Sequence, residues 1–483
     1  MFVLENKNVL VIGLGASGVA ASELLRARGA KVLAVDNADT PPLRQQANSL
    51  RAQGVDVRLG QTAPPEPHFD LAVLSPGVPR DNRIAKEMFQ RDTPVISELE
   101  LGWQQSYCLS IGISGTNGKT TTTELVERVL THNHVKTLAA GNIGLPLCAV
   151  AGRTKELDWL TLEVSSFQLE TIEYFRPAIA VLMNITPDHL DRYANLDDYG
   201  RAKGRLFLNQ QPFDWAIVQS EALAQLRGLG VKVPSKIITF SATDRAADLH
   251  FERGLILSRL ADWSGPLLDL EQCRLRGPHN AENVMAALAV GRALRLPLEG
   301  MVEAIKTYPP APHRCELVAE IGGVKFVNDS KATNVDAVAK ALLTMPAGPD
   351  PNGPNVWLLA GGKDKGFAFH DVGPLLSQRV KGAFVFGETR EKIRAAWSLF
   401  TTCTPVATLL EAVSEAAQKA VSGDVVLLSP ACSSFDQFQN YQHRGDVFRR
   451  TVRDWQSHRQ RHRAHRVSDM PCADAPASEL RQP

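Results

Sequence analysis

The sequence predicts an α/β protein of three domains, each built around a mainly parallel β-sheet. Its 483 residues exceed what a single ordinary hydrophobic core accommodates. Short apolar segments alternate with helical stretches in three successive blocks, which is the pattern of doubly wound parallel sheets. Before the third block, residues 307–314 (TYPPAPHR) carry three prolines in eight positions. Prolines at this density end helices and indicate a linker.

The three blocks predict domains at 1–98, 99–308 and 309–459. The strand-like segments of the first block are NVLVIG, KVLAVD, VDVRLG, LAVLSP and PVIS. The second block contains LSIGIS, WLTLE, IAVLMNIT, WAIVQ and KIITFS, and closes with the helical segment NAENVMAALAVGRAL. The third contains KFVNDS, VWLLAGG, GAFVFG and VVLLSP. Residues 460–483 are polar without periodicity, which predicts a disordered tail.

The composition excludes several classes of partner. The 53 Lys and Arg residues are offset by 52 Asp and Glu, so no global positive field is available to hold nucleic acid or an anionic membrane. No apolar run approaches the roughly 18 residues of a membrane helix. The seven cysteines are scattered without CxxC spacing, which is neither a disulfide framework nor a zinc pattern. These features predict a cytoplasmic protein without nucleic-acid partners or membrane insertion.

A first glycine motif, GLGASG at 13–18, follows the strand NVLVI and opens a helix, and Asp36 ends the next strand. This is the dinucleotide-binding fingerprint, in which glycines bring main-chain amides and a helix N-terminus to a diphosphate. An NAD-dependent oxidoreductase would use it, and so would a protein that binds a UDP-sugar. The motif also occurs as a tight strand-to-helix turn without ligand. It predicts a Rossmann-like domain and leaves the ligand open.

A second phosphate loop, GTNGKTT at 115–121, lies between the strand LSIGIS and a helix. Small residues let consecutive N–H groups surround a phosphate, Lys119 supplies a cation, and the Thr120 hydroxyl suits Mg²⁺. The loop departs from the general P-loop because Ile113 occupies the position of its first glycine. Two nucleotide-type sites in consecutive domains favour a ligase over a dehydrogenase, because a dehydrogenase needs no magnesium-phosphate loop.

Several segments together resemble the Mur ligase family, which includes the folylpolyglutamate synthetases. They are GLGASG, GTNGKTT, GNIGLP, LEVSSFQLE, NITPDHLDRY, DSKATN and SPACSSFDQF. The resemblance extends from about residue 7 to about 455 and is closest to the branch that adds D-glutamate. It implies Rossmann-like N- and C-terminal domains that flank a central P-loop-type ATPase domain.

The resemblance also implies the reaction and its partners. The small-molecule substrates would be UDP-N-acetylmuramoyl-L-alanine and D-glutamate, and ATP would activate the alanine carboxylate as an acyl phosphate. The products would be UDP-N-acetylmuramoyl-L-alanyl-D-glutamate, ADP and phosphate, in the synthesis of peptidoglycan precursors. Short linkers between the domains predict hinge closure. The protein is expected to be a monomer.

Four residues are candidates for two Mg²⁺ ions: Thr120, Glu163, His189 and Lys203. Glu163 ends an apolar strand, where a carboxylate beside a phosphate loop is a natural Mg²⁺ ligand, although serine hydroxyls could instead satisfy it. His189 alone would be taken as a surface cation, and Lys203 as an exposed helical lysine. The resemblance implies that His189 binds the second ion and that Lys203 is carbamylated, which converts a cation into an oxygen ligand. Lys119, His189 and Lys203 are the expected catalytic residues.

The resemblance assigns the remaining site residues to three ligands. ATP would contact Gly115, Thr116, Asn117, Gly118, Lys119, Thr120, Thr121, Asn280, Asn283, Arg314 and Asp329. The UDP-sugar would contact Gly15, Ala16, Ser17, Asp36, Asn37, Ser75, Gly77, Asn142 and Ser165. Glutamate would contact Lys331, Thr333, Lys365, Ser434 and Tyr441.

Some positions depart from the family pattern. Asn37 and Ala38 stand where relatives often have a hydroxyl and a basic residue, and Tyr441 stands where they often have Phe. Lys363 competes with Lys365 for the glutamate pocket. Another Mur ligase, a folylpolyglutamate synthetase, an NAD-dependent oxidoreductase and a non-catalytic nucleotide-binding regulator remain alternatives. Residue types alone do not distinguish D- from L-glutamate.

Overall fold

The computed structural model describes residues 3–66, 68–309, 312–350 and 353–468, with the backbone alone for 458–468. It divides into two compact units, residues 1–310 and 311–483. Three sheets are present in the described residues, two in the first unit and one in the second. Each sheet lies within one of the three predicted domains.

The N-terminal sheet is entirely parallel, with strand order β3-β2-β1-β4-β5. Its strands are β1 Asn8–Ile12, β2 Lys31–Val35, β3 Asp56–Arg58, β4 Leu71–Leu74 and β5 Val95–Ser97. Its helices are α1 Ala16–Ala27, α2 Pro41–Ala52, α3 Arg83–Gln90 and α4 Glu98–Gln104. All four residues of β4 are buried, because helices cover both faces of a parallel sheet. The strands predicted from the first block are confirmed.

The central sheet has nine strands in the order β14-β13-β12-β11-β10-β9-β6-β8-β7. They are β6 Leu109–Ser114, β7 Thr137–Gly141, β8 Trp159–Glu163, β9 Ile179–Leu182, β10 Trp215–Gln219, β11 Lys236–Ser241, β12 Leu249–Glu252, β13 Leu255–Ser258 and β14 Gly265–Asp269. The pairings from β7 to β12 are parallel, and β12, β13 and β14 form an antiparallel extension. This extension and β7 were not predicted.

The helices of the central domain cover this sheet and bury its largest apolar cluster. They are α5 Lys119–His132, α6 Leu147–Val150, α7 Ser166–Leu169, α8 Leu196–Gly204, α9 Ser220–Gly228, α10 Pro278–Ala293 and α11 Leu298–Lys306. Short 3-10 helices lie at Ala151–Glu156, Arg205–Phe207 and Leu270–Gln272. The predicted closing helix is α10, which is buried along most of its length.

The second unit contains a six-stranded sheet in the order β15-β16-β20-β17-β18-β19. Its strands are β15 Glu316–Ile321, β16 Val324–Asn328, β17 Val356–Gly361, β18 Val380–Phe386, β19 Cys403–Pro405 and β20 Val425–Leu428. Among the described strands of this sheet, β15 and β16 pair antiparallel and the other pairings are parallel. The four strands predicted here are confirmed as β16, β17, β18 and β20.

The helices of the second unit are α12 Val335–Thr344, α13 Gly373–Arg379, α14 Arg390–Trp397, α15 Leu409–Lys419 and α16 Tyr441–Ser468, with a 3-10 helix at Phe369–Val372. The backbone of 460–468 continues α16, which differs from the disorder predicted for 460–483. Once a helix is started, each further residue adds a main-chain hydrogen bond, so its propagation needs no apolar face. Residues 469–483 of the predicted tail lie outside the described residues.

Within the described ranges, no helix is both long and apolar enough to cross a membrane.

Candidate active site

The carboxyl ends of four adjacent strands, β9, β6, β8 and β7, converge on the predicted phosphate loop. The loop itself follows β6, Asn184 lies just beyond β9, Glu163 ends β8, and Asn142 follows β7. Parallel strands bring their carboxyl ends to one edge of a sheet, which is where α/β proteins bind ligands. Residues far apart in sequence therefore meet here.

Two glycines give the phosphate loop its shape. Gly115 has φ 151° and Gly118 has φ 86°, conformations that a side chain disfavours. A Cβ at Gly118 would lie 2.5 Å from Asn283 Oδ1, so space as well as backbone conformation requires glycine. Gly118 is the N-cap of α5 and leads directly into the first helical turn, which carries Lys119 and Thr120. The loop thus ends at a helix N-terminus, where the N–H groups favour an anion.

The neighbouring segment that follows β9 fixes the loop through hydrogen bonds. Asn184 accepts from the Asn117 N–H at 2.8 Å and donates to the Asn117 carbonyl at 3.1 Å. The Thr116 hydroxyl accepts from the Thr186 N–H at 3.0 Å and also lies 3.3 Å from the Tyr199 hydroxyl. Asn184 was missed as a site residue, although its position after an apolar strand was a usable signal.

Two lysines reach the loop from different helices. The Lys119 ammonium donates to the carbonyls of Gly115 and Thr116, both at 2.9 Å. Lys203, on α8, is 1% exposed, and its Nζ lies 2.7 Å from the Gly115 carbonyl oxygen. Burial, reinforced by the nearby Lys119 charge, lowers the pKa of Lys203 well below its ordinary value. The interpretation of Lys203 as an exposed helical lysine is therefore wrong.

Glu163 has one satisfied oxygen and one without a partner. Asn142 Nδ2 donates to Oε1 at 2.7 Å, whereas Oε2 is buried without a hydrogen bond from any described residue. The alternative that serine hydroxyls satisfy this acid is therefore wrong. Ser165 instead caps α7 in a reciprocal arrangement with Gln168. A buried oxygen left unpaired is costly, which suits a carboxylate that takes a cation.

His189 occupies a strained position near the same edge of the sheet. Its φ is 56°, and its ring lies edge-on to Phe167 with the centroids 4.8 Å apart. Its Nε2 is 3.8 Å from Asp188 Oδ2, and its main-chain N–H donates to Asp188 Oδ1 at 2.8 Å. Strain of this kind outside glycine is concentrated at functional sites. The ring is about one-third exposed, so it can reach a ligand.

The two asparagines predicted for ATP lie together at the start of α10. Asn283 Nδ2 donates to Asn280 Oδ1 at 3.1 Å, and Asn283 Oδ1 lies 3.2 Å from the Thr122 hydroxyl. Thr122 belongs to α5, the helix that the phosphate loop opens. The contact therefore joins the two asparagines predicted for ATP to the helix that follows the phosphate loop.

The first glycine motif borders a cavity of about 320 Å³ in the N-terminal domain. The cavity is lined by Ile12, Gly13, Val35, Asp36, Asn37, Gln61, Thr62, Gly77, Val78, Pro79, Asn82, Arg83 and Ile84. Its volume lies within the range of small-molecule pockets. Asp36, Asn37 and Gly77 of the predicted UDP-sugar residues are in this lining. The polar residues Gln61, Thr62, Asn82 and Arg83 were missed.

Asp36 has a structural task at this cavity. Its Oδ2 accepts from the Leu14 N–H at 2.7 Å and its Oδ1 from the Ala38 N–H at 2.9 Å. Both carboxylate oxygens therefore accept hydrogen bonds from main-chain amides and stabilise the conformation of the glycine loop. The last glycine of the motif is also required, because a Cβ at Gly18 would lie 1.8 Å from the Gly13 carbonyl oxygen.

In the second unit, Asp329 lies close to Arg314. Asp329 is buried and accepts from the Ser429 hydroxyl at 3.0 Å and from the Cys315 N–H at 3.2 Å. Burial raises the pKa of Asp329 to about 7, against the opposing effect of these hydrogen bonds and the Arg314 charge. The structure thus places together the two residues of this unit that were predicted for ATP.

The predicted glutamate residues lie on three loops of the second unit. The Lys331 ammonium is 4.0 Å from the centroid of the Tyr441 ring, and the Tyr441 carbonyl accepts from the Ser330 hydroxyl at 2.8 Å. Thr333 and Lys365 are half-buried, and Ser434 is buried. Lys363 is exposed, and its main chain pairs with Ser433.

Arg444 joins these three loops and was missed from the sequence. Its guanidinium is fully buried and donates to the Ser330 hydroxyl and carbonyl, at 3.0 and 2.8 Å. It also donates to the carbonyls of Cys432 and Ser433, at 3.1 and 3.3 Å, and lies 3.5 Å from that of Gly361. Burial lowers the pKa of Arg444 to about 10. The polar setting QHRGDVFRR gave no signal of this burial.

Three family profiles match consecutive parts of the chain. They are the Mur ligase MurD-like N-terminal domain at 7–97, the Mur ligase middle domain at 113–291, and the Mur ligase glutamate ligase domain at 313–432. Each match falls within one of the predicted domains.

Solved structures show the fold at low sequence identity. The UDP-N-acetylmuramate-alanine ligase MurC from Thermotoga maritima has a TM-score of 0.56 at 18% identity, over 94% of this chain and 100% of that one. The MurF ligase from Thermotoga maritima, solved in complex with ADP, has a TM-score of 0.59 at 16% identity, over 94% and 99%. The predicted α/β fold class is confirmed.

Relatives of higher identity are similar over almost the whole chain. The UDP-N-acetylmuramoylalanine–D-glutamate ligase of Acidobacterium capsulatum is 41% identical, over 93% of this chain and 96% of the relative. The protein of the same name from Geobacillus kaustophilus is 39% identical, over 92% and 97%. The predicted resemblance is thereby confirmed, and the chain belongs to the Mur ligase family.

Proposed function

We propose that this chain is the ATP-dependent ligase that joins D-glutamate to UDP-N-acetylmuramoyl-L-alanine in peptidoglycan precursor synthesis. The names of its relatives at 36–41% identity support this reaction. One structural observation carries it: a phosphate loop, a buried lysine and a buried carboxylate with an unpaired oxygen meet at one edge of the central sheet. We also assign the protein to the cytoplasm, as a monomer.

The reaction needs activation because a carboxylate is a poor acylating agent at neutral pH. The γ-phosphoryl group of ATP passes to the alanine carboxylate, which breaks its bond to ADP and forms an acyl phosphate. The neutral amine of glutamate then attacks the acyl carbon, the bond from that carbon to the phosphate oxygen breaks, and the nitrogen releases a proton as the amide forms. Lys119 and the N–H groups at the start of α5 hold the phosphates and stabilise the charge that develops on them.

The residues of the central site suit magnesium. Two Mg²⁺ ions would offset the repulsion between the phosphates and the attacking carboxylate. The unpaired Oε2 of Glu163 is a ready oxygen ligand, and Thr120 and His189 are the other unmodified candidates. A carbamylated Lys203 is the further oxygen ligand that we assign, and water and phosphate oxygens would complete the coordination of the ions.

The environment of Lys203 suits carbamylation. Its amine nitrogen must be neutral to attack the carbon of CO₂, and the lowered pKa provides the neutral form. The new N–C bond forms as the nitrogen loses a proton, and the product is an anionic carbamate. The buried position also protects this group from the solvent.

The other two substrates have candidate sites on the remaining domains. We assign the uracil nucleotide to the cavity at Gly13 and Asp36, and the glutamate to the loops that carry Lys331, Lys365 and Ser434. Glutamate brings two carboxylates, which cations and hydroxyl donors bind well. Arg314 and Asp329 are the residues of the second unit that we assign to ATP.

Phosphate release tests the reaction. Purified protein with ATP, Mg²⁺ and UDP-N-acetylmuramoyl-L-alanine should release phosphate with D-glutamate and not with L-glutamate, lysine or diaminopimelate. Lys119→Ala should lower kcat at least 100-fold, because a charge that stabilises the transition state is lost. The matched control is Lys232→Ala, since Lys232 is exposed on the same domain. Equal activity of the two variants would mean that ATP does not use this loop.

Carbamylation has its own test. Protein equilibrated with ¹³C-labelled bicarbonate should show a carbamate carbon resonance that is absent from Lys203→Gln. The control Lys232→Ala should retain the resonance. A wild-type spectrum without it, recorded on active enzyme, would remove the carbamate from the proposal.

A further inference from the structure

Arg192 connects the N-terminal domain to the central domain within the first compact unit. It belongs to the segment NITPDHLDRY that follows β9. Its Nη1 donates to the Pro76 carbonyl at 2.9 Å, and its Nη2 lies 3.4 Å from the Val78 carbonyl. Both carbonyls belong to the loop after β4, whose Gly77 and Val78 line the nucleotide cavity. One guanidinium therefore holds the wall of the proposed UDP-sugar site.

The other side of Arg192 packs against the surroundings of His189. The guanidinium carbon lies 3.8 Å from the centroid of the Phe167 ring, and that ring meets His189 edge-on at 4.8 Å. The Arg192 N–H also donates to the His189 carbonyl at 2.9 Å. A displacement of Arg192 would therefore change the contacts of His189 through both the main chain and the Phe167 ring.

Glu170 fixes the orientation of Arg192. Its Oε2 accepts from Arg192 Nη2 at 3.2 Å, and its Oε1 accepts from the Tyr193 hydroxyl at 2.6 Å. The Arg192 and Glu170 side chains are only 15% and 13% exposed. An ion pair this shielded is screened less by solvent than a surface pair. The planar guanidinium can serve two carbonyls, a carboxylate and a ring at once, which a lysine cannot.

We propose that Arg192 is a positioning residue that couples binding of the sugar nucleotide in the N-terminal domain to the placement of His189 in the central domain. The inference rests on the proposed function, because it takes UDP-N-acetylmuramoyl-L-alanine as the ligand of the cavity. A ligand in the cavity holds the loop at Pro76 and Val78 in place. This loop then orients Arg192, and Arg192 in turn orients the segment that carries His189. Coupling of this kind is reciprocal, so Mg²⁺ and nucleotide should also tighten binding of the sugar nucleotide.

Binding measurements on the full-length chain test the coupling. The Kd of UDP-N-acetylmuramoyl-L-alanine is measured by calorimetry with and without Mg²⁺ and a non-hydrolysable ATP analogue. In the wild type the analogue should tighten binding about fivefold or more, the lower end of typical coupling. In Arg192→Met this gain should disappear, and the KM for the sugar nucleotide should rise about tenfold. The Kd of the ATP analogue measured without the sugar nucleotide should change less than threefold, because only the reciprocal effect between the two ligands is lost.

Two variants separate positioning from general loss of structure. Arg192→Lys keeps a cation over Phe167 and one hydrogen bond, so it should fold and recover part of the coupling. Arg201→Met is the matched control, because Arg201 is an exposed residue of α8 that pairs with Asp198, and it should behave as the wild type. If Arg192→Met does not fold, the coupling measured for Arg192→Lys tests the inference instead.

Unchanged coupling and unchanged sugar-nucleotide KM in a folded Arg192 variant would overturn the inference. Absence of coupling in the wild type would overturn it as well. Product formation by the wild type tests the proposed function separately. A wild type that binds the sugar nucleotide without making product would refute the ligase assignment, and the coupling measurement would still decide the role of Arg192.

Discussion

Replacement of the buried Arg444 by methionine should destabilise the second unit and weaken glutamate binding. The guanidinium makes four hydrogen bonds of 2.8–3.3 Å to Ser330, Cys432 and Ser433. Methionine fills much of the same volume but satisfies none of the carbonyls. The variant thus isolates the loss of the hydrogen bonds from the loss of packing.

The expected magnitude follows from these contacts. A hydrogen bond from a charged donor contributes about 1.5–3 kcal/mol, but bonds that share one donor group do not add fully. Removing one partner of a buried charged network typically costs about 3–5 kcal/mol, and we expect this range for Arg444→Met. For a unit of this size, that corresponds to a thermal midpoint lower by roughly 6–20 °C.

Calorimetry and steady-state kinetics together provide the assay. Arg444→Met should lower the midpoint of one thermal transition and raise the KM for D-glutamate about tenfold or more. The KM for the sugar nucleotide should remain near the wild-type value, because its proposed site lies in the first unit. Arg444→Lys keeps the charge but reaches fewer carbonyls, so it should be intermediate.

The matched control for Arg444 is Arg450→Met on the same helix. Arg450 is exposed, so its replacement should change the midpoint and the KM very little. If Arg444→Met matched Arg450→Met in both measurements, the three loops would not depend on the guanidinium, and the reasoning would be refuted.

Three further variants probe the first unit. Gly118→Ala should lower kcat/KM for ATP at least tenfold, because φ of Gly118 is 86° and the new Cβ would lie 2.5 Å from Asn283 Oδ1. The control is Gly228→Ala, since a Cβ at this helix terminus would have no neighbouring atom within 4 Å. Equal kinetics of the two variants would contradict the described geometry of the phosphate loop. Glu163→Gln should raise the Mg²⁺ concentration for half-maximal activity about tenfold or more, since a charged ligand is lost; an unchanged Mg²⁺ titration would exclude Glu163 as a ligand. Burial raises the pKa of Glu98 to about 7 from an ordinary value of 4.5. Neutral Glu98 therefore makes its full contribution to the free energy of unfolding below pH 4.5. That contribution is lost as the pH rises through 7, and the total loss is about 3 kcal/mol. Urea unfolding of Glu98→Gln should lack this part of the pH dependence, and identical pH profiles would show that Glu98 ionises normally.

The sequence predicted the strands that are apolar and flanked by turns, and it missed the strands without that pattern. Segments such as 71–74 (LAVL) are buried on both faces and are continuous runs of apolar residues. The strand β7 has the sequence TLAAG, with one β-branched residue and two alanines, and it borders the sheet. The extension β12–β14 consists of strands of four or five residues with polar positions. Such strands form because their neighbours pair with them, which a local pattern does not show.

The residue types that meet at the candidate site could be selected from the sequence, but the burial of its charged side chains could not. Lys203 lies in the polar helix LDDYGRAKG, and its partner Gly115 is 88 positions away. Arg444 likewise lies in the first turn of a polar helix, and its partner Ser330 is 114 positions away. Tertiary contacts over such distances decide whether a charged side chain is exposed, and composition carries no information on them. The resemblance identified Lys203 by position, and Arg444 had no such signal.

The order of the strands explains which site residues could be derived from local sequence. Asn184, Gly115, Glu163 and Asn142 each follow or end one of four adjacent parallel strands, so a single rule places all of them at the same edge. Lys203 instead reaches the Gly115 carbonyl from helix α8, and it is the residue that we propose to be carbamylated. Two ammonium groups on the same carbonyl of Gly115 would repel each other in a buried setting. Burial and the Lys119 charge lower the pKa of Lys203 and so favour its neutral amine, which is the form that would react with CO₂ in the proposed modification. The contact that makes Lys203 impossible to predict from its own helix is therefore the same contact that prepares it for its proposed role.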